Sequence, residues 1–255
     1  MRLRVVTAAA VFAVAALALP SLAPGGRTRP AHKPVAIPHG FSVIAQARAK
    51  RVAVYSHRGA VRPARTVRTP KTARKLVFLV DWKKQRWTWP KWVRVRLPTR
   101  PNGATAWVKS RSVRFLLTRY RVRIDLRRHE LTVWRRGRLM LKAPVGVGRS
   151  VTPTPQGRYY LVTLLRPPNP RGPYGPYAFG LSAYSRVLTS FAGGPGQVGI
   201  HGTNRPRALA RNVSHGCIRV RNAVIKRLAR KLPLGTPVDI VWDSRPHGPG
   251  IPLPM

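Results

Sequence analysis

The stretch SHGCIRV, residues 214–220, holds the chain's one cysteine, Cys217, with His215 two positions before it and Arg219 two positions after. A little upstream, GIHGTN at 199–204 supplies a second imidazole, His201. An inert buried cysteine needs no such company, but a nucleophile does. The thiolate is the attacking species, and an ordinary thiol is mostly protonated at neutral pH. Activation takes a base within hydrogen-bond reach or a cation near the sulfur. His201 and His215 are both candidates for the base and Arg219 for the cation, so the thiol is expected to titrate below the free-thiol range. In an extended chain His215 and Cys217 would point the same way, about 7 Å apart at Cα. A turn at Gly216 would change that, and spacing does not choose between the imidazoles. Gly216 has no Cβ, which lets a substrate approach the main chain, where the amides of residues 215–217 could donate to a developing oxyanion.

Outward from this stretch the chain reads as strands. QVGIHG delivers His201 at the end of one strand, and TPVDIVW closes the pattern with another. Between them NAVIKRLARKL at 222–232 is the clearest helix, with Asn222 as its expected cap, Val224, Ile225, Leu228 and Leu232 on one face and Pro233 stopping it. Upstream, RYRVRIDL, ELTVWRRG and RLMLKAPVGVG read as consecutive strands joined by turns at RRH and RRG, followed by GRYYLVTLL at 157–165. VGVGRS at 145–150 contains GxG but lacks the helix and the GK[ST] of a phosphate loop, so it is a strand-to-turn transition. Residues 166–198 are rich in Pro, Gly, Tyr and Ser and are expected to be irregular and to build a cleft. Tyr174, Tyr177 and Tyr184 within them read as core aromatics rather than cleft lining.

Further upstream RVAVYS, KLVFLV, WVRVRL and AWVKS are short strand-like runs, WVRVRL alternating Val or Leu with Arg, with an Asn-Gly turn at 102–103 inside PTRPNG. Trp82, Trp87, Trp89, Trp92 and Trp107 fall in the same segment. These short strands predict a small barrel over 50–117, and WVRVRLPTRPNGATAWV resembles bacterial SH3-like domains. Residues 24–49, rich in Pro, Ala, Arg and Lys, read as a flexible basic linker, and 244–255 as a Pro-rich tail. At the start, Arg2 and Arg4 precede an uncharged run at 5–19 that is shorter than the ~20 residues of a spanning helix. Small residues follow. The pattern predicts an export signal over 1–23, cleaved after Ala23 or retained as a short anchor, with the body of the protein outside the cytoplasm in the cell wall or periplasm. A single cysteine there closes no intramolecular disulfide, which marks Cys217 as a free thiol.

Composition narrows the chemistry. The chain has 255 residues, 44% of them hydrophobic, enough for a packed core. Lys and Arg number 49 against five acids, a formal net charge of +44. The acids Asp81, Asp125, Glu130, Asp239 and Asp243 are scattered, which disfavours paired-carboxylate glycosidase chemistry and oxygen-ligand metal sites. One Cys and seven dispersed His offer no zinc spacing, so no metal and no cofactor is expected. His32, His39, His57, His129 and His247 carry no catalytic expectation. The positive charge fits polyanionic surroundings, anionic cell-wall polymers in particular. Nucleic acid is poorly supported, since no helix-turn-helix, zinc finger or aromatic ribonucleoprotein pattern appears. Contact with a membrane is expected only through a retained N-terminal segment.

Taken in order, GIHGTN and SHGCIRV, with TPTPQGRYYL upstream and RLARKLPLGTPVDIVW downstream, are similar to the L,D-transpeptidase catalytic (YkuD-like) domain. The likeness covers about 119–242, within an expected catalytic domain at 118–243. It departs at LARNVSHGC, where relatives often carry glycine at the position of Ala210. The resemblance implies a mainly β fold: a small SH3-like barrel followed by a β-rich catalytic domain with one or two short helices. It implies Cys217 as nucleophile, His201 as its base and His215 as a supporting residue. Ser214 and Gly216 then shape the oxyanion loop, while Arg219, Gly202, Thr203 and Asn204 face substrate or brace the site. The reaction carried over is cross-linking of peptidoglycan stem peptides through a Cys217 thioester. Hydrolysis of the same thioester, as in an L,D-carboxypeptidase, and noncatalytic wall binding are the alternatives.

Overall fold

Short apolar runs broken by Pro- and Gly-bearing turns fold as strands throughout. A computed structural model describes residues 35–81, 86–87, 90–191 and 193–242. The expected export segment, residues 24–34 of the expected linker, Trp82, Trp89 and the Pro-rich tail lie outside the described residues. The first part of the chain holds β1 (Val35–Ala36), β2 (Ser42–Ala47), β3 (Arg51–Val54), β4 (Arg65–Arg68), β5 (Val77–Leu79), β6 (Arg86–Trp87), β7 (Trp92–Arg96), β8 (Thr105–Lys109) and β9 (Val113–Thr118). They pair as a β5-β2-β9 sheet and as the ribbons β3-β4, β7-β8 and β1-β6. Isolated bridges from Tyr55 to Trp107 and from Val80 to Val95 tie the ribbons together. In β7 the alternation of WVRVR is obeyed: Val93 and Val95 are buried and Arg94 is exposed. These valines join Val52, Val54, Leu76, Phe78 and Val108 in one core.

The second part holds β10 (Tyr120–Asp125), β11 (Glu130–Arg135), β12 (Arg138–Pro144), β13 (Val147–Gly148), β14 (Gly157–Leu165), β15 (Ala178–Tyr184), β16 (Gln197–His201), β17 (Asn212–Ser214), β18 (Ile218–Arg219), α1 (Asn222–Lys231) and β19 (Pro237–Val241). Eight strands form one sheet in the order β12-β11-β10-β19-β14-β15-β16-β18, while β13 and β17 pair separately in parallel. Ile225 and Leu228 of α1 pack into the core of this part with Leu181, Ile200 and Ile218. Among the described residues the fold is mainly β with one α-helix, as the sequence implied.

Three expectations need correcting. Residues 42–47 are not part of a flexible tether: β2 lies between β5 and β9, with Val43 and Ala45 facing the first core. Ile44 points the other way, into a cluster with Val77, Leu79, Tyr160 and Val162 that joins the two parts. A strand apolar on both faces shows no alternation, which hid it behind the Pro-rich stretch before it. Residues 166–198 are not wholly irregular either, because AFGLSAY forms β15, a central strand of the large sheet. Asn222, finally, does not cap α1. Arg221 occupies the cap position without a side-chain bond, and Asn222 Oδ1 accepts the Thr203 amide at 2.9 Å.

The scarce acids among the described residues are spent on structure. Asp239, in the middle of β19, is buried and accepts from Arg121 Nε and Arg158 Nε, both at 2.8 Å. Asp81 pairs with Arg96 at 3.0 Å, and Asp125 accepts the amides of Arg127 and Arg128. Glu130 lies 3.3 Å from Lys142. None stands beside Cys217 in any of these pairings, and no cluster of metal-ligating side chains occurs among the described residues.

Candidate active site

The register of two short strands assembles the site. β16 runs antiparallel to β15 on one side and parallel to β18 on the other, with Ile200 opposite Ile218 and His201 opposite Arg219. Isoleucines 200 and 218 face the core. The alternate residues Gly199 and His201 therefore share the opposite face with Cys217 and Arg219. Gly199 leaves room there, and its amide donates to the Cys217 sulfur. A Cβ at Gly199 would meet the carbonyl oxygen of Phe179 at 2.7 Å, so glycine is required by the neighbouring strand as well.

His201 is buried, only 4% exposed. Its Nδ1 lies 2.6 Å from the Gly202 carbonyl oxygen. A carbonyl only accepts, so Nδ1 carries the proton and Nε2 is left as the acceptor. Burial, helped by the Arg219 charge and opposed by the Gly202 bond, lowers the imidazole pKa to about 4. Cys217 is partly exposed as a residue, yet burial of its sulfur pushes the thiol up, against the opposing pull of the Gly199 amide and Arg219. This corrects the expectation of a thiol that titrates low in the free protein. The resting pair is a neutral thiol and a neutral imidazole.

The two histidines separate by geometry. His215 is exposed, and its Nε2 lies 2.7 Å from Arg149 Nη2. Guanidinium only donates, so this nitrogen accepts and is committed to Arg149. The same ring lies 5.3 Å from that of Phe191. Between the histidines, Ser214 closes the turn around Gly216, whose φ is 113°. Its hydroxyl donates to the Cys217 carbonyl at 2.6 Å and accepts the Gly216 amide at 3.1 Å. That bond takes the Gly216 amide away from the oxyanion role considered for it.

Several contributors escaped the sequence reading. Thr154 Oγ1 donates to the Gly216 carbonyl at 2.9 Å and accepts the Gly148 amide at 2.9 Å, which anchors the SHGC turn to the TPTP segment. Tyr174, read as a core aromatic, lies instead with its ring 4.9 Å from His201. Burial raises its hydroxyl pKa, as does the nearby Cys217, while Arg219 opposes. Tyr177 packs on the core, and Tyr184 lies under Arg100. Gly202 and Thr203 are buried where the chain leaves β16; Thr203 Oγ1 accepts the Arg205 amide, and Asn204 is exposed. A Cβ at Gly202 would collide with Asn222 Oδ1. Arg219 keeps a buried Nε without a hydrogen-bond partner among the described residues.

Ala210, the departure in LARNVSHGC, has φ of 62°. An L side chain in that region costs roughly 1–2 kcal/mol that glycine avoids. Ala210→Gly is expected to stabilise the protein by about 1 kcal/mol after the loss from greater unfolded-chain freedom, read as a raised midpoint in thermal unfolding with unchanged alkylation of Cys217. A lowered midpoint would contradict the strain.

These residues define a cysteine–histidine site with a flanking guanidinium, built on the edge of a mainly β sheet. Residues 119–240 match the YkuD family model, the L,D-transpeptidase catalytic domain. Two relatives named "Putative L,D-transpeptidase YkuD" are 38% identical in Bacillus licheniformis and 36% in Bacillus subtilis (strain 168), each over 121 residues, 48% of this chain and 65% of theirs. Among solved structures, an L,D-transpeptidase from Mycobacterium smegmatis is 17% identical with a TM-score of 0.40, covering 59% of this chain and 90% of that one. The chain thus spans 65% of the length of these two curated relatives. The likeness read from GIHGTN and SHGCIRV is borne out as a likeness: residues 119–240 are similar to YkuD-type L,D-transpeptidase catalytic domains.

Proposed function

We propose that the protein is an exported L,D-transpeptidase that cross-links peptidoglycan stems through a thioester on Cys217. The observation that carries this reading is the shared sheet face of Cys217, His201 and Arg219, set by the β16–β18 register. Cys217 Sγ attacks the carbonyl carbon of the third stem residue, an L-centred diamino acid, as its proton passes to His201 Nε2. The Nδ1–H bond to Gly202 steadies the imidazolium, and Arg219 favours negative charge on sulfur until the C–S bond forms. Collapse breaks the peptide bond to the terminal D-alanine, whose nitrogen leaves with the proton from Nε2. A side-chain amine of a second stem then attacks the thioester carbonyl and loses a proton to Nε2; the C–S bond breaks, and that proton passes to Sγ to restore the thiol. His215, held by Arg149 and Phe191, supports the rim of the site rather than serving as base.

Purified protein mixed with tetrapeptide stems tests this by mass spectrometry. A cross-linked dimer with free D-alanine is expected; shortened stem alone would mean water takes the thioester, and no change would mean wall binding without catalysis. A strained β-lactam carbonyl offers the same electrophile to the thiol. Carbapenem is therefore expected to add its whole mass once, on Cys217. No adduct under conditions where stems react would count against this chemistry.

A further inference from the structure

The turn PTRPNG, whose place in the upstream module explains only a hairpin, also reaches the catalytic part. Arg100 Nη1 donates to the Ser185 carbonyl at 2.6 Å, and Nη2 to those of Leu188 at 3.0 Å and Pro195 at 3.2 Å. Its guanidinium lies 5.2 Å from the centre of the Tyr184 ring. Asn102 exchanges two bonds with Tyr184, donating from Nδ2 to its carbonyl and accepting its amide, both at 2.8 Å. The Tyr184 hydroxyl donates to the Pro98 carbonyl at 2.9 Å. Asn102 thus pairs with the end of β15 as a strand neighbour would, beyond the last β14 partner of that strand.

The carbonyls that Arg100 gathers bracket the loop from 185 to 196. Its two ends are already drawn together by the Ser185 amide on the Gly196 carbonyl at 2.8 Å. A Cβ on Gly196 would collide with the Leu188 carbonyl and come within 3.1 Å of Arg100 Nη2, so the loop is packed tightly around the guanidinium. Inside it the Phe191 amide donates to the Gly194 carbonyl at 2.9 Å. Phe191 carries its ring to His215, two residues before Cys217.

We propose that Arg100 is a positioning residue: through residues 98–102 the upstream β module holds residues 185–191 and 193–196 as one wall of the cleft at Cys217. The upstream module is then part of the cleft's architecture in addition to any wall-binding duty. The consequence for turnover rests on the proposed function, whereas the clamp itself does not.

The test uses the full chain with Arg100→Ala and Arg100→Lys. Loss of three charge-assisted bonds on a surface loop is expected to speed amide hydrogen exchange over 186–195 by about tenfold or more, with little change in the thermal midpoint. The rate of Cys217 labelling by N-ethylmaleimide relative to the smaller iodoacetamide is expected to rise about threefold or more as the wall loosens. With tetrapeptide stems KM is expected to rise about fivefold or more while kcat stays within about twofold, since the chemistry is untouched. Arg100→Lys, which keeps the charge but loses the fork, is expected to fall between. Unchanged exchange and unchanged labelling selectivity would overturn the clamp. So would a parallel fall in the thermal midpoint and kcat with KM constant, the mark of a general loss of structure. If both labelling and exchange respond while the parent protein leaves stems unchanged, the clamp stands and the proposed function fails.

Discussion

Cys217→Ala is expected to reduce acyl transfer to the uncatalysed background, a loss on the order of 10⁴–10⁶, the scale seen when a covalent nucleophile is removed. The fold is expected to survive. The SHGC turn is held through main-chain atoms and neighbours: the Ser214 hydroxyl on the Cys217 carbonyl, the Gly216 amide on that hydroxyl, and Thr154 on the Gly216 carbonyl. None of these bonds uses sulfur. The sulfur is buried, but it is a single atom on a residue that is partly exposed as a whole, so trimming it costs only one side-chain atom's packing and the Gly199 contact. Mass spectrometry of stem products reads the first effect and thermal unfolding the second. Cross-linking at the parent rate would remove Cys217 from the chemistry, and a large drop in midpoint would mean the sulfur holds the loop.

What could be read in the sequence were features of local pattern. Alternation identified β7, the Asn-Gly turn led on to β8, and the turns at RRH and RRG bounded β10, β11 and β12. The order of GIHGTN and SHGCIRV marked the edge where β16 meets β18. What escaped depends on contacts distant in sequence. β2 is buried on both faces and so lacks a period, and Ile44 finds its partners in Tyr160 and Val162 of the other part. The thiol was expected to titrate low because Arg219 and two imidazoles are near it in sequence. The fold places the sulfur where burial outweighs Arg219 and the Gly199 amide. Likewise the choice between His201 and His215 needed the carbonyl of Gly202 and the guanidinium of Arg149, neither visible as a spacing. Ala210 is the converse case: it stands where the resemblance led us to expect glycine, and its backbone conformation favours glycine.

His201→Asn is expected to cost about 10²–10⁴ in kcat/KM, the usual worth of a positioned general base. Asparagine can still donate from Nδ2 toward the Gly202 carbonyl but has no counterpart to Nε2, so it removes the base and spares the bond. In the parent protein the competent pair carries one proton on sulfur and none on Nε2. It is expected to persist from about pH 4, where His201 charges, up to the raised pKa of the thiol. Alkylation by iodoacetamide should accordingly follow a curve displaced above ordinary thiols, and a thiolate already present at neutral pH would overturn the neutral pair. The same burial has a stability consequence whose sign is opposite to that of a salt-bridged histidine. Between the unfolded value of 6.5 and the folded value of about 4 the unfolded chain binds the extra proton. Stability therefore falls as pH drops through that window, by about 3 kcal/mol in all, and this contribution levels off below it. His201→Asn has no imidazole to charge, so its unfolding free energy should lose that much less than the parent's between pH 7 and pH 4. Parallel curves for the two proteins in urea titrations across the window would mean that His201 is solvated in the folded state, and would withdraw it from the buried face it shares with Cys217.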